Sequence, residues 1–337
     1  MNREELYPKI AAMPKAELHL HLEGSIRPPI AAALAARHGF RVTEDEVRQR
    51  YAYEHFTAFI EAFKWVTSFV RDPSDFALLV SDLGEQLIAQ NVIYAEVTLS
   101  VGVMLLRKQN PQANFEAILE AAAPLERRGL RLNWIFDAVR QFGAELAMQV
   151  VAWAKLCNSP SIVAFGIGGD ELAGPTRDFQ SVYKHAAYCG LHRLIHAGEI
   201  GGPEKIREAV ELLGVERVGH GIAAIHDSAL MDLVAARRIA LEICPMSNLR
   251  TGALARQLRS DSASLEHHPL PQLLRHGIPV VLSTDDPSMF HTSLTEEYLH
   301  AQNMGLSETE LLGLVADSFT FSFLPESERA SLLLRPA

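Results

Sequence analysis

Cysteine is scarce in this chain: Cys157, Cys189 and Cys244 are the three in 337 residues. They are too few and too scattered for a disulfide framework or a CxxC metal knuckle, and they imply a reducing compartment. Long uncharged apolar runs are missing too. None approaches the roughly 18 residues of a membrane span, and no basic segment followed by an apolar one opens the chain. Basic residues form no stripe beyond short groups such as Arg237-Arg238, and the formal net charge of -10 excludes the electrostatic footprint of a nucleic-acid binder. Linkers rich in Gly, Ser or Pro, low-complexity tracts and internal repeats are absent as well. The expectation is a soluble cytoplasmic protein folded as one domain over residues 1–337, with neither membrane nor nucleic acid as partner. Its oligomeric state is not legible.

What is present is an ordinary globular balance, 48% hydrophobic and 21% charged, enough to bury a large core. Short strand-like apolar runs cover Glu17 to Leu22, Val92 to Leu99, Leu132 to Val139, Ile162 to Ile167, Arg193 to His196, Arg217 to His220, Ile239 to Cys244 and Pro279 to Ser283. Between most of them lie helical patterns such as Pro203 to Leu213 and Ser228 to Ala236, as parallel strands with helical crossovers require. Eight β/α alternations predict an α/β fold, the closed (β/α)8 TIM barrel, whose catalytic face is built from the loops after the strands. The first crossover is long and predicts a helical insertion over 24–90. Pro28-Pro29 opens one helix that Gly39 closes, and two more lie around Tyr53 to Val70 and Ser74 to Gln90. Phe59 and Phe63 sit there at helical spacing, either packed on the body of the domain or forming an apolar lid over a flat ligand. A capping box at Ser307 to Glu310 opens a helix toward Phe321, after which the pattern fades beyond Pro325.

Nearly every chemically useful group falls at a strand end. In Ala16-Glu17-Leu18-His19-Leu20-His21-Leu22 the side chains alternate, so both imidazoles face one way and the leucines the other. His196-Ala197-Gly198-Glu199, Gly219-His220-Gly221 and Thr284-Asp285-Asp286 follow later runs. Alone, each has a plain reading as a turn, a cap or a solvated pair. Together they describe a buried divalent metal with acid–base partners. His19, His21, His196 and Asp285 supply the atoms that a catalytic zinc takes. Glu199 is placed as a proton donor beside the metal, and His220 as the group that orients water and takes its proton. Asp285 and Asp286 should point to opposite faces, one for metal and one for a ligand, with Pro287 ending the strand.

At these residues the chain resembles the adenosine deaminase group of the amidohydrolase superfamily. The matching motifs are ELHLHLEGS (Glu17 to Ser25), GGDE (Gly168 to Glu171), HAGE (His196 to Glu199), GHG (Gly219 to Gly221), CPMSN (Cys244 to Asn248) and STDDP (Ser283 to Pro287). They span nearly the whole chain in the family's order. The resemblance implies a barrel with one Zn2+ on His19, His21, His196 and Asp285, Glu199 protonating purine N1, and His220 orienting the hydrolytic water. It also implies Asp286 at N7, the Gly169 backbone N–H at N3, and loss of ammonia from C6 of a 6-aminopurine.

The branch is read from departures. Adenosine-acting members commonly carry HLDG, whereas this chain has His21-Leu22-Glu23-Gly24 as the adenine-specific branch does, which places Glu23 among the substrate-binding candidates. Gly166 to Glu171 instead looks like the nucleoside branch, and Thr98 stands where nucleoside members often have Arg. With DAVRQFG at Asp137 to Gly143, the chain looks most like the 6-aminodeoxyfutalosine deaminases of menaquinone biosynthesis. Their aminopurine nucleoside ends in an aryl carboxylate, for which Arg140 is the candidate counter-charge, its alternative being a brace between loops. Adenosine, adenine and a cyclic amide follow as alternative substrates.

Overall fold

The computed structural model describes residues 3–53 and 56–333. Eight parallel strands follow one another in chain order: β1 Lys15–His21, β2 Val92–Leu99, β3 Arg131–Val139, β4 Ile162–Gly168, β5 His192–Ala197, β6 Arg217–His220, β7 Ala240–Ile243 and β8 Val280–Leu282. Each pairs with the next. The first and last strands meet beyond the end of β8, where the Asp285 N–H donates to the His19 carbonyl (3.0 Å) and the His21 N–H to the Asp285 carbonyl (2.9 Å). This is the (β/α)8 barrel that the sequence predicts, with helices in the crossovers. Among the described residues no helix is long and apolar enough to cross a membrane.

Period-two alternation decides what fills the barrel. On β1, Leu18 and Leu20 pack outward against the helices while Glu17, His19 and His21 face the axis, and every one but His21 is fully or nearly fully buried. Ile135, Ala164, Leu194 and Phe323 form a small apolar cluster separate from the main core. Beside it lies an ionic cluster. Arg217 donates to Glu96 Oε2 (2.5 Å), to Glu242 Oε1 (2.6 Å) and to the Phe321 carbonyl (2.9 Å), with its guanidinium 3.8 Å above the Phe323 ring. Tyr94 and the Phe323 N–H satisfy the other oxygen of Glu96. Buried charges at this depth are tolerable because each nitrogen of Arg217 and each oxygen of the two carboxylates has a partner. Space for them comes from missing side chains: a Cβ on Gly219 of β6 would stand 2.8 Å from the His19 ring.

The insertion after β1 is helical as expected, with Pro28–Arg37, Phe56–Thr67 and Pro73–Ala89, but it also contains Glu44–Arg50. That helix buries only Val47, so it carries no apolar period. Its signal was the Thr43–Glu46 capping box, in which each residue's side chain bonds the other's backbone N–H. The pattern over Pro203 to Leu213 divides into an α segment, Pro203–Glu208, and a π turn, Ala209–Leu213, closed by Gly214 at φ +63°. Beyond Glu308–Thr320 the chain does not fade at Pro325 but forms Glu326–Leu333.

Arg217→Met should leave Glu96 and Glu242 buried without their shared cation and destabilise the fold by about 3–5 kcal/mol. Urea unfolding at neutral pH checks this, and a loss under about 1 kcal/mol would show that the ionic cluster is not needed for stability.

Candidate active site

The ring of strand ends at the top of the barrel gathers the predicted residues. Ligand atoms of His19, His196, His220 and Asp285 lie within 4.8 Å of one another, and His21 Nδ1 lies 2.8 Å from Asp285 Oδ1. The His19 and His196 ring centres are 4.6 Å apart, and His19 and His21 5.3 Å. Asp285 and Asp286 do not diverge as strand alternation predicts. β8 ends at Leu282 and Asp285 takes a left-handed backbone (φ +66°), so both carboxylates come to His21, at 2.8 and 3.4 Å. Gly24 makes this possible, because any Cβ there would occupy the position of the Asp286 carboxylate.

The donor set suits a divalent cation. His19 gives its Nδ1 hydrogen to Glu242 Oε2 at 2.6 Å, and His196 gives its own to the Ile167 carbonyl at 3.3 Å. Each is thereby left with an Nε2 lone pair directed into the cluster. His19 Nε2 and His21 Nδ1 are buried with no hydrogen-bond partner among the described residues. Burial tends to lower the pKa of His19, yet the facing carboxylate of Asp285 and the hydrogen-bonded one of Glu242 push it up to about 9. Burial and the neighbouring histidines hold His196 well below its ordinary value. The cluster therefore attracts positive charge while keeping a neutral imidazole beside it, as a metal centre of three histidines and a carboxylate requires. Ser247 Oγ, on the helix Pro245–Arg250, donates to Asp285 Oδ2 at 2.6 Å and fixes that carboxylate.

Glu199 sits on the loop after β5, 3.8 Å from His220 Nε2. Gly198 (φ +73°) turns the chain there, and a Cβ on it would collide with Ile206. Burial pushes the Glu199 carboxyl up to about 8, reinforced by the carboxylates of Asp285 and Glu171, so it carries a proton at neutral pH. Burial lowers His220 to about 4, and it is an uncharged imidazole in that range. Its backbone is left-handed (φ +61°) between Gly219 and Gly221, a strained conformation of the kind found at functional positions.

Three supporting groups were not singled out from sequence. Glu242 orients His19. Glu171 accepts from four consecutive backbone N–H groups, those of Gly198, Glu199 (3.1 Å), Ile200 (2.9 Å) and Gly201 (2.8 Å), and so shapes the Glu199 loop. Asp137 is buried in the cavity wall with one unpaired oxygen, and burial pushes its carboxyl up to about 7. Glu171 and Asp137 stood within quoted motifs; an acidic residue at an inward position near a strand end was the signal available for Asp137 and Glu242, and one in the turn just after a strand for Glu171.

A cavity of about 560 Å³ opens above the cluster. Glu23, Gly169, Asp286, Phe59 and Phe63 line it, with Phe59 also packed 5.0 Å from Phe290. Glu23 takes the Ser100 N–H on one oxygen and leaves the other unpaired. Arg140 is absent from the lining. A 3-10 turn at Arg140–Phe142 directs Gln141 and Phe142 to the cavity and sends Arg140 inward, where it donates to the His196 carbonyl at 3.3 Å and lies 5.9 Å from the Phe179 ring. Its position is that of a brace for β5, and the expected counter-charge is corrected accordingly. The cations in the wall are instead Lys64 and Arg107, on the exposed side.

Such a barrel, with a histidine–carboxylate cluster able to hold a metal and a buried carboxyl beside it at the strand ends, has the features of a metal-dependent hydrolase. The chain belongs to the adenosine deaminase family: the family model "Adenosine deaminase" matches residues 14–335. It is 34% identical to an aminodeoxyfutalosine deaminase from Streptomyces avermitilis over 97% of this chain and 91% of that one. It is also 34% identical to an adenine deaminase from Chelativorans sp., covering 95% and 97%. Among solved structures, the adenine deaminase from Arthrobacter aurescens superposes with a TM-score of 0.88 at 28% identity, over 96% of this chain and 97% of that one. The protein is a hydrolytic deaminase of a metal-dependent family.

Asp285→Asn keeps the backbone seam but removes the anionic ligand. Dialysed protein is expected to retain less than about a tenth of the wild-type metal while its far-ultraviolet circular dichroism is unchanged. Full retention, measured by plasma mass spectrometry, would remove Asp285 from the ligand set.

Proposed function

We propose that the protein hydrolyses the 6-amino group of an aminopurine nucleoside, with 6-aminodeoxyfutalosine preferred over adenosine and adenine, and that His19, His21, His196 and Asp285 hold one zinc ion. Bound zinc makes water a competent nucleophile near neutral pH. The remaining chemistry is assigned to side chains. Glu199, protonated at rest, delivers a proton to N1 as water oxygen adds to C6, which spares the ring the full negative charge of the adduct. Asp286 faces N7. Its carboxyl is raised above the ordinary range, first by burial and then by Asp285; a hydrogen bond to N7, a ring nitrogen that only accepts, calls for its protonated form. The Gly169 N–H is assigned to N3, and His220 holds the attacking oxygen. Phe59 and Phe63 supply an apolar wall for the flat base, and Glu23 its unpaired oxygen.

The observation that carries the choice of substrate is the cavity's size and its outer wall. A bare purine does not fill about 560 Å³, and beyond the buried cluster the lining turns apolar, with Phe76, Val103, Met104 and Leu106, and ends at exposed Lys64 and Arg107. An aryl group ending in a carboxylate matches that succession. Arg107 is tethered through Thr67, donating to its carbonyl (2.5 Å) and hydroxyl (3.0 Å). The second reading, adenine deamination, is favoured by a relative of that name at the same 34% identity.

Parallel assays of zinc-loaded protein with 6-aminodeoxyfutalosine, adenosine and adenine, following ammonia release, should give the highest kcat/KM with the first. Adenine as the best substrate would establish the second reading. Glu199→Gln should lower kcat by about 100- to 10,000-fold with metal retained. Arg107→Met should raise KM about tenfold for 6-aminodeoxyfutalosine and leave adenosine within about twofold, because only the former presents a carboxylate. Equal effects on both would confine Arg107 to bracing Thr67.

A further inference from the structure

A line of buried groups runs away from the metal cluster behind His220. Asn248 contacts His220 Nδ1 through its side-chain amide (3.0 Å), and its carbonyl oxygen lies 3.2 Å from His268 Nε2. His268 Nδ1 accepts the Leu270 backbone N–H at 3.1 Å. All three side chains are nearly solvent-free, at 1% for His220, 0% for Asn248 and 3% for His268, and burial holds His268 down to about 3.

The direction of this chain is fixed at its far end. A backbone N–H can only donate, so His268 Nδ1 must be the unprotonated nitrogen, and a neutral imidazole then carries its hydrogen on Nε2. That hydrogen goes to the Asn248 oxygen, which turns the amide NH2 toward His220. Reversing the amide would leave His268 with two accepting nitrogens and no proton, an anion that this pH range does not allow. His220 Nδ1 therefore accepts.

We propose that His268 is a positioning residue which, through Asn248, holds His220 as the Nε2–H tautomer, so that His220 serves the reaction as a hydrogen-bond donor and not as the base. The proposal rests on the deaminase reading for its catalytic consequence, whereas the tautomer stands on the hydrogen bonds alone. His220 Nε2 faces Glu199 Oε2 at 3.8 Å and Asp285 Oδ2 at 3.9 Å, and its hydrogen holds an oxygen placed between them. The nitrogen has no lone pair to offer a cation, which separates His220 from His19, His21 and His196 within the same cluster. It has none for a proton of water either. That proton passes to Glu199, a carboxylate once its own hydrogen has gone to N1. As the C6–N6 bond breaks, Glu199 returns that proton to the departing amine, which leaves as ammonia, and the remaining hydroxyl proton passes to Glu199 as C6=O forms. Glu199 thus gives two protons, to N1 and to the amine, and takes two, both from the water oxygen.

The test is a two-bond 1H–15N correlation spectrum of zinc-loaded protein labelled with 15N-histidine, assigned by His220→Asn and His268→Gln. Both rings are expected as Nε2–H tautomers, and an Nδ1–H pattern for His220 in the wild type overturns the proposal whether or not any substrate is turned over. His268→Phe removes the fixed donor. It should abolish the single-tautomer pattern of His220 and lower kcat about 10- to 100-fold with KM changed less than about twofold and zinc retained. His268→Gln, whose amide can still donate to Asn248, should recover most of that loss. An unchanged tautomer and kcat in His268→Phe would also overturn it. Should His268→Phe fail to fold, the wild-type spectrum decides the question by itself.

Discussion

Closing the barrel and assembling the site are one event, because the residue that joins the last strand to the first is Asp285. Its backbone bonds to His19 and His21, so two imidazoles and a carboxylate are brought to one point by main-chain geometry before any side chain interacts. The left-handed conformation at Asp285 turns its carboxylate and that of Asp286 to the same side, and Gly24 leaves the room. An ionised carboxylate this deeply buried would be costly without partners. The histidines, Ser247 and, in the proposed function, a cation supply them.

Each imidazole of the cluster except His21 has one nitrogen occupied by a fixed partner behind it: Glu242 for His19, the Ile167 carbonyl for His196 and Asn248 for His220. The other nitrogen is thereby committed to face the centre. Glu242 is in turn paired with Arg217 in the ionic cluster, so the barrel's interior charges orient the site as well as fill space. Glu171 does comparable work for the Glu199 loop with four backbone hydrogens. Rigidity of this kind lets the site stabilise a reacting centre without reorganising around it.

Substrate discrimination falls to different elements. The walls of the cavity come from the helix Phe56–Thr67, which lies within the insertion after β1, and from the segment after β2 that holds Met104 and Arg107. These are outer, partly exposed pieces resting on the barrel, and they can vary without disturbing the strand ends that hold the chemistry.

The sequence by itself determined the eight strands, their parallel order and the cluster of His19, His21, His196, Glu199, His220 and Asp285, because period-two alternation and strand-end motifs are local signals. It also placed Phe59 and Phe63 on a helical insertion, though the charged helix Glu44–Arg50, with one buried residue, had no apolar period to reveal it. What only the tertiary structure decided were relations between distant segments. Arg140 looked like a free cation until the 3-10 turn after β3 sent it inward, and Arg107 was unremarkable until folding set it in the cavity wall. Asp285 and Asp286 looked divergent until the seam turned one of them. The link from His268 through Asn248 to His220 joins residues 20 and 28 positions apart. Hydrogen-bond direction depends on which donors and acceptors meet in space, and no local pattern encodes that.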